Sequence, residues 1–145
     1  MGKILELLVE QVRPSQDYLD RKRFERYKQM FEGGQGDKIA PVQVVEDYST
    51  QGVYYVLDGH HRGSAQLQAQ GKITAWNASN PNDLIPYNLF PNVPRDKIDS
   101  ANELIRKRFD YVQHYEPLDA SGDRIRNLEH LMEHAGIQTV VGSVR

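Results

Sequence analysis

The chain has 145 residues, with 18 Lys and Arg against 20 Asp and Glu and no cysteine. One domain of this length buries enough surface to fold without a metal or a disulfide. The missing thiol excludes disulfide frameworks, thiolate zinc sites and cysteine nucleophiles. Glu6 interrupts the apolar run from Ile4 to Val9, so no signal peptide or membrane span is predicted. We expect a single cytoplasmic domain that does not enter a membrane.

The first 79 residues alternate between strand-like and helix-like patterns. Phe24, Tyr27 and Phe31 share one helical face, and Gly33-Gly34 ends that helix. Three glycines among Gly33 to Asp37 indicate a loop. Strands are predicted at Leu5 to Val12, Ile39 to Val45, Val53 to Leu57 and Ile73 to Ala78, and helices from Asp20 to Gly33 and from about His61 to Gln70.

The second half of the chain is predicted to be a connector followed by helices. Four prolines between Asn80 and Pro94 exclude regular structure there. The stretch from Ser100 to Glu103 matches a capping box. Helices are therefore expected from that box to about Tyr115 and from about Ser121 to His134, with a last strand at Thr139 to Val141. The expected organisation is an α/β (α+β) core at 1–79, a proline-rich connector at 80–98 and a helical C-terminal extension of the same domain at 99–145.

The stretch from Val53 to Ser64 carries most of the polar chemistry, because it joins a buried strand to a helix start. A helix N-terminus presents unpaired N–H groups and the positive end of the dipole, which favour an anion. Gly59 permits close backbone approach, Arg62 suits phosphate oxygens, and His60 and His61 add donors or a proton-transfer group. This pattern predicts phosphate binding. The alternative is that Asp58 caps the helix and that the histidines and Arg62 are solvated.

The run from Leu8 to Trp76 contains a first strand ending in VRP, then GGQGDKIAPVQVV, then YYVLDGHHRGSAQLQAQG. With these features it resembles the ParB/sulfiredoxin superfamily domain. In partition proteins of this superfamily the corresponding turn binds nucleotide, and in sulfiredoxins it carries a cysteine where this chain has His60. The motif Asp-Gly-His-His-Arg is similar to that of the superfamily's free-serine kinases, which use ADP or ATP. The resemblance therefore implies a mixed sheet with packed helices.

The same resemblance implies a set of site residues. Asp58 would serve the metal or phosphoryl site, with His61 as a second catalytic residue. The GGQG loop would lie against the nucleotide from the opposite side. The phosphate- and nucleotide-binding residues would be Gly34, Gln35, Gly59, His60, His61, Arg62 and Ser64. The implied cofactor is ATP or ADP, with CTP as a further candidate, together with Mg²⁺, and the implied reaction is phosphoryl transfer to a small molecule.

One position departs from the kinase pattern. Those kinases carry a glutamate as general base two residues after the first-strand proline, whereas this chain has Gln16. An amide does not take up a proton. The chain therefore fits either a kinase-type enzyme with a changed substrate or a nucleotide-binding remnant without activity.

A DNA-associated module, either a nucleotide-gated partition or regulatory factor or a ParB-like nuclease, is the main alternative function. Residues 1–98 hold 12 basic and 12 acidic side chains, and residues 99–145 hold 6 and 8 and show no basic recognition helix. The exception is a basic group that we interpret as a solvated helix face: Arg21, Lys22, Arg23, Arg26 and Lys28. DNA is thus a less favoured partner. A non-catalytic accessory subunit is a third alternative, and the sequence indicates no oligomeric state.

The segment from His130 to His134 matches the H-x-x-E-H pattern of a zinc peptidase family. A catalytic zinc needs a third protein ligand, and no Asp or Glu follows His134. We therefore interpret this segment as an exposed helix end, where histidines complement the dipole.

Overall fold

The structure, a computed structural model, describes residues 2–139, and its centre is a five-stranded mixed sheet. The order across the sheet is β1-β5-β3-β4-β2. Strand β3 runs parallel to β5 and antiparallel to β4, while β4 is parallel to β2 and β5 is antiparallel to β1. The strands are β1 (Lys3–Leu7), β2 (Val12–Arg13), β3 (Val42–Glu46), β4 (Tyr54–Asp58) and β5 (Ile73–Asn77).

Helices cover both faces of this sheet, so the chain forms two apolar cores. One core joins α1, α2 and α4 to side chains such as Val44 and Val56. The other joins α3 and the proline-rich connector to Val45, Leu57 and Trp76. The helices are α1 (Arg21–Glu32), α2 (His60–Gln70), α3 (Arg95–Arg108) and α4 (Leu128–His134). The predicted α+β class, with a mixed sheet and packed helices, is confirmed.

The expected first strand, Leu5 to Val12, is wrong in its extent. The chain forms β1, then a short 3₁₀ turn at Val9–Gln11, then β2. Because β1 pairs with β5 and β2 pairs with β4, the two pieces lie at opposite edges of the sheet. An apolar run cannot reveal such a change of partner, since Leu7, Val9 and Val12 are buried in both arrangements.

The C-terminal helices also differ from their predicted bounds. Helix α3 begins at Arg95, directly after Pro94, and ends at Arg108. The expected capping box does not form, because Ser100 lies inside the helix and its Oγ donates to the carbonyl of Asp96 (2.9 Å). Pro94 is the N-cap residue of α3, a position whose N–H makes no intrahelical hydrogen bond, so proline's missing donor costs nothing there.

The second C-terminal helix, α4, is only seven residues long and begins after Asn127, whose side chain accepts from the backbone N–H of His130. The residues expected to form its first half are a loop. Gly122 has φ +82, and Leu118 and Arg124 form an isolated antiparallel bridge. The strand expected at Thr139 to Val141 falls outside the described residues, except for Thr139, which has no regular structure. Within the described part of the chain, no helix has the length and apolar character of a membrane span.

Candidate functional site

The junction of β4 and α2 has an unusual helix start. Gly59 occupies the N-cap position with φ +105, and no side chain caps the helix there. Asp58 therefore does not cap α2, contrary to the alternative drawn from the sequence. A Cβ added at Gly59 would lie 2.6 Å from Nη2 of Arg62, so the guanidinium lies directly against the glycine. Among the described residues, no N-cap side chain accepts from the first N–H groups of α2, which lie at the positive end of the helix dipole.

His60 and His61 are buried, at 2% and 5% exposure, so they are not the solvated pair of that alternative. Each Nε2 accepts a hydrogen bond from a backbone N–H, that of Ser15 for His60 and that of Asp20 for His61, both at 2.9 Å. Burial lowers the pKa of His60 to about 3 and also lowers the pKa of His61. Both rings are therefore neutral near pH 7, with the ring proton on Nδ1, and they fasten the segment before α1 to the start of α2.

Three arginines from three helices surround this helix start. We call the cavity that they line, of about 110 Å³, the arginine pocket. Arg62 and Arg108 each pair with Asp58, at 3.5 and 3.4 Å. Arg108 also donates to the carbonyl of Leu57 (2.9 Å). The lining contains Arg23, Arg62, Arg108, Asp58, Gln16 and Tyr18, together with Gly59 and the two histidines.

Arg62 is held in place by a buried amide. Its Nη2 donates to Oε1 of Gln43 (2.5 Å) and to the carbonyl of Pro41 (3.2 Å). Gln43 is fully buried, and its Nε2 donates to the carbonyl of Ala101 in α3 (2.7 Å). Arg62 is therefore positioned by hydrogen bonds that connect it to both faces of the sheet. Its buried Nε–H donor makes no hydrogen bond within residues 2–139.

A second cavity, of about 400 Å³, is also lined by Arg62, and we call it the loop pocket. The glycine-rich segment after α1 supplies Gly34 and Gly36 to its wall. The GGQG loop therefore borders this cavity and not the arginine pocket. Further lining residues are Phe31, Gln66, Gln70, Lys72, Thr74 and Phe90.

The structure separates the residues that the sequence grouped together. Asp58, Gly59, His60, His61 and Arg62 line the arginine pocket. Gly34 lines the loop pocket, and Gln35 lines neither pocket. Ser64 is fully buried inside the fold, without a hydrogen-bond partner for Oγ among the described residues, and it reaches neither cavity.

Sequence reasoning missed Arg108 and the role of Arg23. Arg108 lies 50 positions after Asp58, and only the packing of α3 on the sheet brings the two together. Arg23 belongs to the basic group that we interpreted as a solvated helix face. It is exposed, as expected, but it also lines the arginine pocket. The sequence did offer one signal, which was the excess of basic side chains on α1 in a chain with a predicted anion site.

The first histidine of the H-x-x-E-H segment has a structural role at the start of α4. Nδ1 of His130 accepts from the N–H of Arg126 (3.1 Å), and Nε2 lies 3.3 Å from Oδ2 of Asp119. The ring thus ties the preceding loop to the helix. Within residues 2–139, no three or more His, Cys, Asp or Glu side chains group to hold a metal ion.

The chain matches no protein-family model and no curated protein sequence. Its structure is similar to the crystal structure of protein Atu1540 from Agrobacterium tumefaciens, with a TM-score of 0.51 and 18% identity. The match covers 89% of this chain and 61% of the Atu1540 chain, so this chain spans less than two thirds of that protein's length. The likeness shows a shared fold.

Proposed function

We propose that the arginine pocket binds the phosphate end of a nucleotide, as the ParB/sulfiredoxin resemblance in the sequence implies. The observation that carries the proposal is the convergence of Arg23, Arg62 and Arg108 on a helix start with no side-chain cap. Guanidinium groups bind phosphate through paired, charge-assisted hydrogen bonds. Asp58 is the single carboxylate among the lining residues, so the pocket keeps a formal excess of positive charge.

The size of the arginine pocket favours a phosphate group over a whole nucleotide. Its volume of about 110 Å³ is well below the roughly 300–1,000 Å³ of sites that enclose an entire drug-sized ligand. The sugar and base would therefore lie outside it, and Tyr18 and Tyr27 are the aromatic residues of its lining. Tyr18 is 60% exposed and so offers a ring for a base to stack on.

The residues fit Mg²⁺ only as part of a nucleotide complex. Mg²⁺ is often bound by one or two carboxylates together with substrate phosphates, and Asp58 is the carboxylate that would take this role. When bound, the cation would neutralise phosphate charge. Gln16 lines the pocket and its Nε2 donates to the carbonyl of Tyr18 (2.7 Å), but an amide cannot act as a base. The lining thus supports nucleotide binding more strongly than transfer to a small-molecule acceptor.

Thermal unfolding in the presence of ligands tests the proposal. ATP, ADP, CTP and inorganic phosphate are each added with and without Mg²⁺. A ligand at 100 times its dissociation constant adds about 2.7 kcal/mol of stability, which is a shift of several degrees for a chain of this size. Arg23→Gln should abolish most of the shift, and Arg26→Gln on the same helix is the matched control, because Arg26 does not line the pocket. Asp58→Asn should remove the Mg²⁺-dependent part but should not weaken the binding of inorganic phosphate without Mg²⁺, because it frees Arg62 and Arg108 from their shared carboxylate.

Two results would contradict the proposal. The first is the absence of any shift with all four ligands, which would make the β4–α2 junction purely structural. The second is an equal loss in Arg23→Gln and Arg26→Gln, which would mean that the ligands respond to the general charge of α1 and not to the pocket.

DNA is the second candidate, supported by the exposed basic side chains beside the pocket. Arg21, Lys22 and Arg26 lie on α1 with Arg23 and are exposed. Backbone phosphates of DNA bind such a surface with a strong dependence on salt. A 20-base-pair duplex is therefore included in the same experiment. If Arg26→Gln and Arg23→Gln weaken duplex binding equally, and nucleotides give no shift, DNA replaces the nucleotide as the proposed ligand.

A further inference from the structure

Three polar side chains that line the loop pocket, Gln66, Gln70 and Thr74, are joined by hydrogen bonds, and we call them the ladder. The backbone N–H of Thr74 fixes their orientation. Oε1 of Gln66 accepts from the backbone N–H of Thr74 (2.7 Å). The amide of Gln66 therefore has only its Nε2 to donate, and it donates to Oε1 of Gln70 (3.0 Å) and to Oγ1 of Thr74 (2.9 Å). Because a backbone N–H is always a donor, these three contacts determine which atom of each amide is oxygen.

This ladder leaves mainly donors for a ligand. The oxygens of Gln66, Gln70 and Thr74 each accept a hydrogen bond within it, whereas the amide NH₂ of Gln70 and the hydroxyl hydrogen of Thr74 are not used there. Lys72 adds an ammonium group, of which one contact is with Glu6 (3.0 Å). Arg62 also lines this cavity and adds its positive charge. Such a wall matches a ligand group that only accepts hydrogen bonds.

The rest of the loop-pocket lining includes apolar side chains. Phe31 and Ile39 are buried at 9% and 8% exposure, and Phe90 is packed against the core on the other side. The loop backbone lies on one ring, because a Cβ added at Gly36 would be 2.9 Å from Cδ1 of Phe31. The cavity volume of about 400 Å³ is within the range of sites for small organic molecules.

The charges of the lining favour an anion. Arg62 and Lys72 are cationic, and the carboxylate among the lining residues is Asp37, which already accepts from Nδ2 of Asn92 (2.8 Å). We propose that the loop pocket binds a small organic acid, with its carboxylate on the Gln70, Lys72 and Thr74 wall and its apolar body against Phe31 and Phe90. This site is separate from the phosphate site and shares only Arg62 with it.

Three matched probes test the charge preference. Benzoate, benzamide and benzylamine have nearly the same ring and size but carry a carboxylate, a neutral amide and an ammonium group. In a titration followed by ¹H–¹⁵N NMR, benzoate should bind with a dissociation constant on the order of 1 mM, a typical affinity for so small a ligand. It should shift the backbone signals of Gln70, Lys72, Thr74 and the loop at Gly34. Benzamide should bind more weakly, and benzylamine should give no saturable shift.

Two variants test the wall. Gln70→Leu removes a donor amide at an exposed position, and Lys72→Met removes the ammonium group while keeping the length of the chain. Each should weaken benzoate binding by about fivefold to tenfold, the usual net value of one hydrogen bond. Gln68→Leu is the matched control, because Gln68 lies on the same helix but does not line the pocket. It should leave benzoate affinity unchanged.

The proposal is overturned if the three probes bind equally, if benzoate shifts the signals of the arginine pocket instead, or if Gln70→Leu binds benzoate as wild type does. Its failure is distinguishable from that of the phosphate site. Arg23→Gln removes phosphate binding without touching the loop pocket, so benzoate affinity in that variant should equal that of wild type.

Discussion

The two pockets that share Arg62 differ in the side chains whose hydrogen bonds fix their walls. The arginine pocket rests on His60 and His61, two buried rings that must stay neutral to accept backbone N–H groups. The loop pocket rests on Gln66 and Gln70, amides that do not titrate. Acid should therefore act on the two sites unequally.

The largest expected effect is the response of folding stability to pH. The pKa of His60 is about 3 in the folded protein and about 6.5 when exposed. Above pH 6.5 the ring is neutral in both states, and its contribution to stability is constant. Between pH 6.5 and 3 the unfolded chain binds a proton that the folded chain does not, so stability falls as pH falls. Urea unfolding should show a loss of about 2 kcal/mol from this residue between pH 7.5 and 5.0.

His60→Gln is the control for this loss. The glutamine amide can accept from the N–H of Ser15 but does not take up a proton. The variant should therefore lose less stability than wild type between pH 7.5 and 5.0, and the remaining slope should come mainly from His61, whose pKa is also lowered by burial. An identical pH slope in wild type and His60→Gln would show that His60 is not the group responsible.

A substitution at Gly59 should disturb the residue that both pockets share. Ala at φ +105 is strained, and its Cβ would lie 2.6 Å from Nη2 of Arg62. Gly71 at the end of α2 also has positive φ, but a Cβ there meets nothing within 4 Å. Gly71→Ala therefore measures the backbone strain alone, about 1 kcal/mol. Gly59→Ala should cost about 1–2 kcal/mol more, because Arg62 is tied to Gln43 and cannot move freely.

Denaturant unfolding of the two glycine variants compares these costs, and phosphate and benzoate titrations show the effect on each site. We expect Gly59→Ala to weaken both ligands and Gly71→Ala to weaken neither. If the two variants are equally stable, the guanidinium of Arg62 moves away from the new Cβ without loss of stability. Arg62 is then not held in a fixed position between the two pockets.

The sequence predicted the elements whose ends are marked locally. Asp20 accepts from the N–H of Lys22 and begins α1, and Gly71 with φ +75 ends α2, both as expected. The C-terminal helices were predicted less well, because competing local signals occur there. Pro94 starts α3 six residues before the expected capping box, and Gly122 interrupts the periodic pattern that suggested a longer α4.

Only those residues of the candidate site that are neighbours in the sequence could be predicted. Asp58 to Arg62 are consecutive, so the motif placed them together. Arg108 lies 50 positions after Asp58 and reaches it through the packing of α3, and Gln43 lies 15 positions before Asp58 and is its cross-strand neighbour in β3. Neither residue stands in a local pattern, and no spacing rule connects them. The division into two pockets depends on the position of Arg62, which is fixed by contacts with Pro41 and Gln43. Such contacts form only in the folded chain and leave no pattern in the sequence.

The smallest expected effect is a coupling between the two ligands. An anion in either pocket lies against Arg62, so the second anion meets a guanidinium whose charge is already partly compensated. We expect phosphate and benzoate each to weaken the other by about twofold to fivefold, and by the same factor in both directions, as linkage requires. Titrating benzoate with and without saturating phosphate, and then the reverse, measures both factors.

Since Arg62 is largely buried, at 15% exposure of its side chain, moderate salt should reduce this coupling less than it reduces phosphate binding at the exposed Arg23. Independent binding of the two anions would mean that Arg62 serves only one pocket.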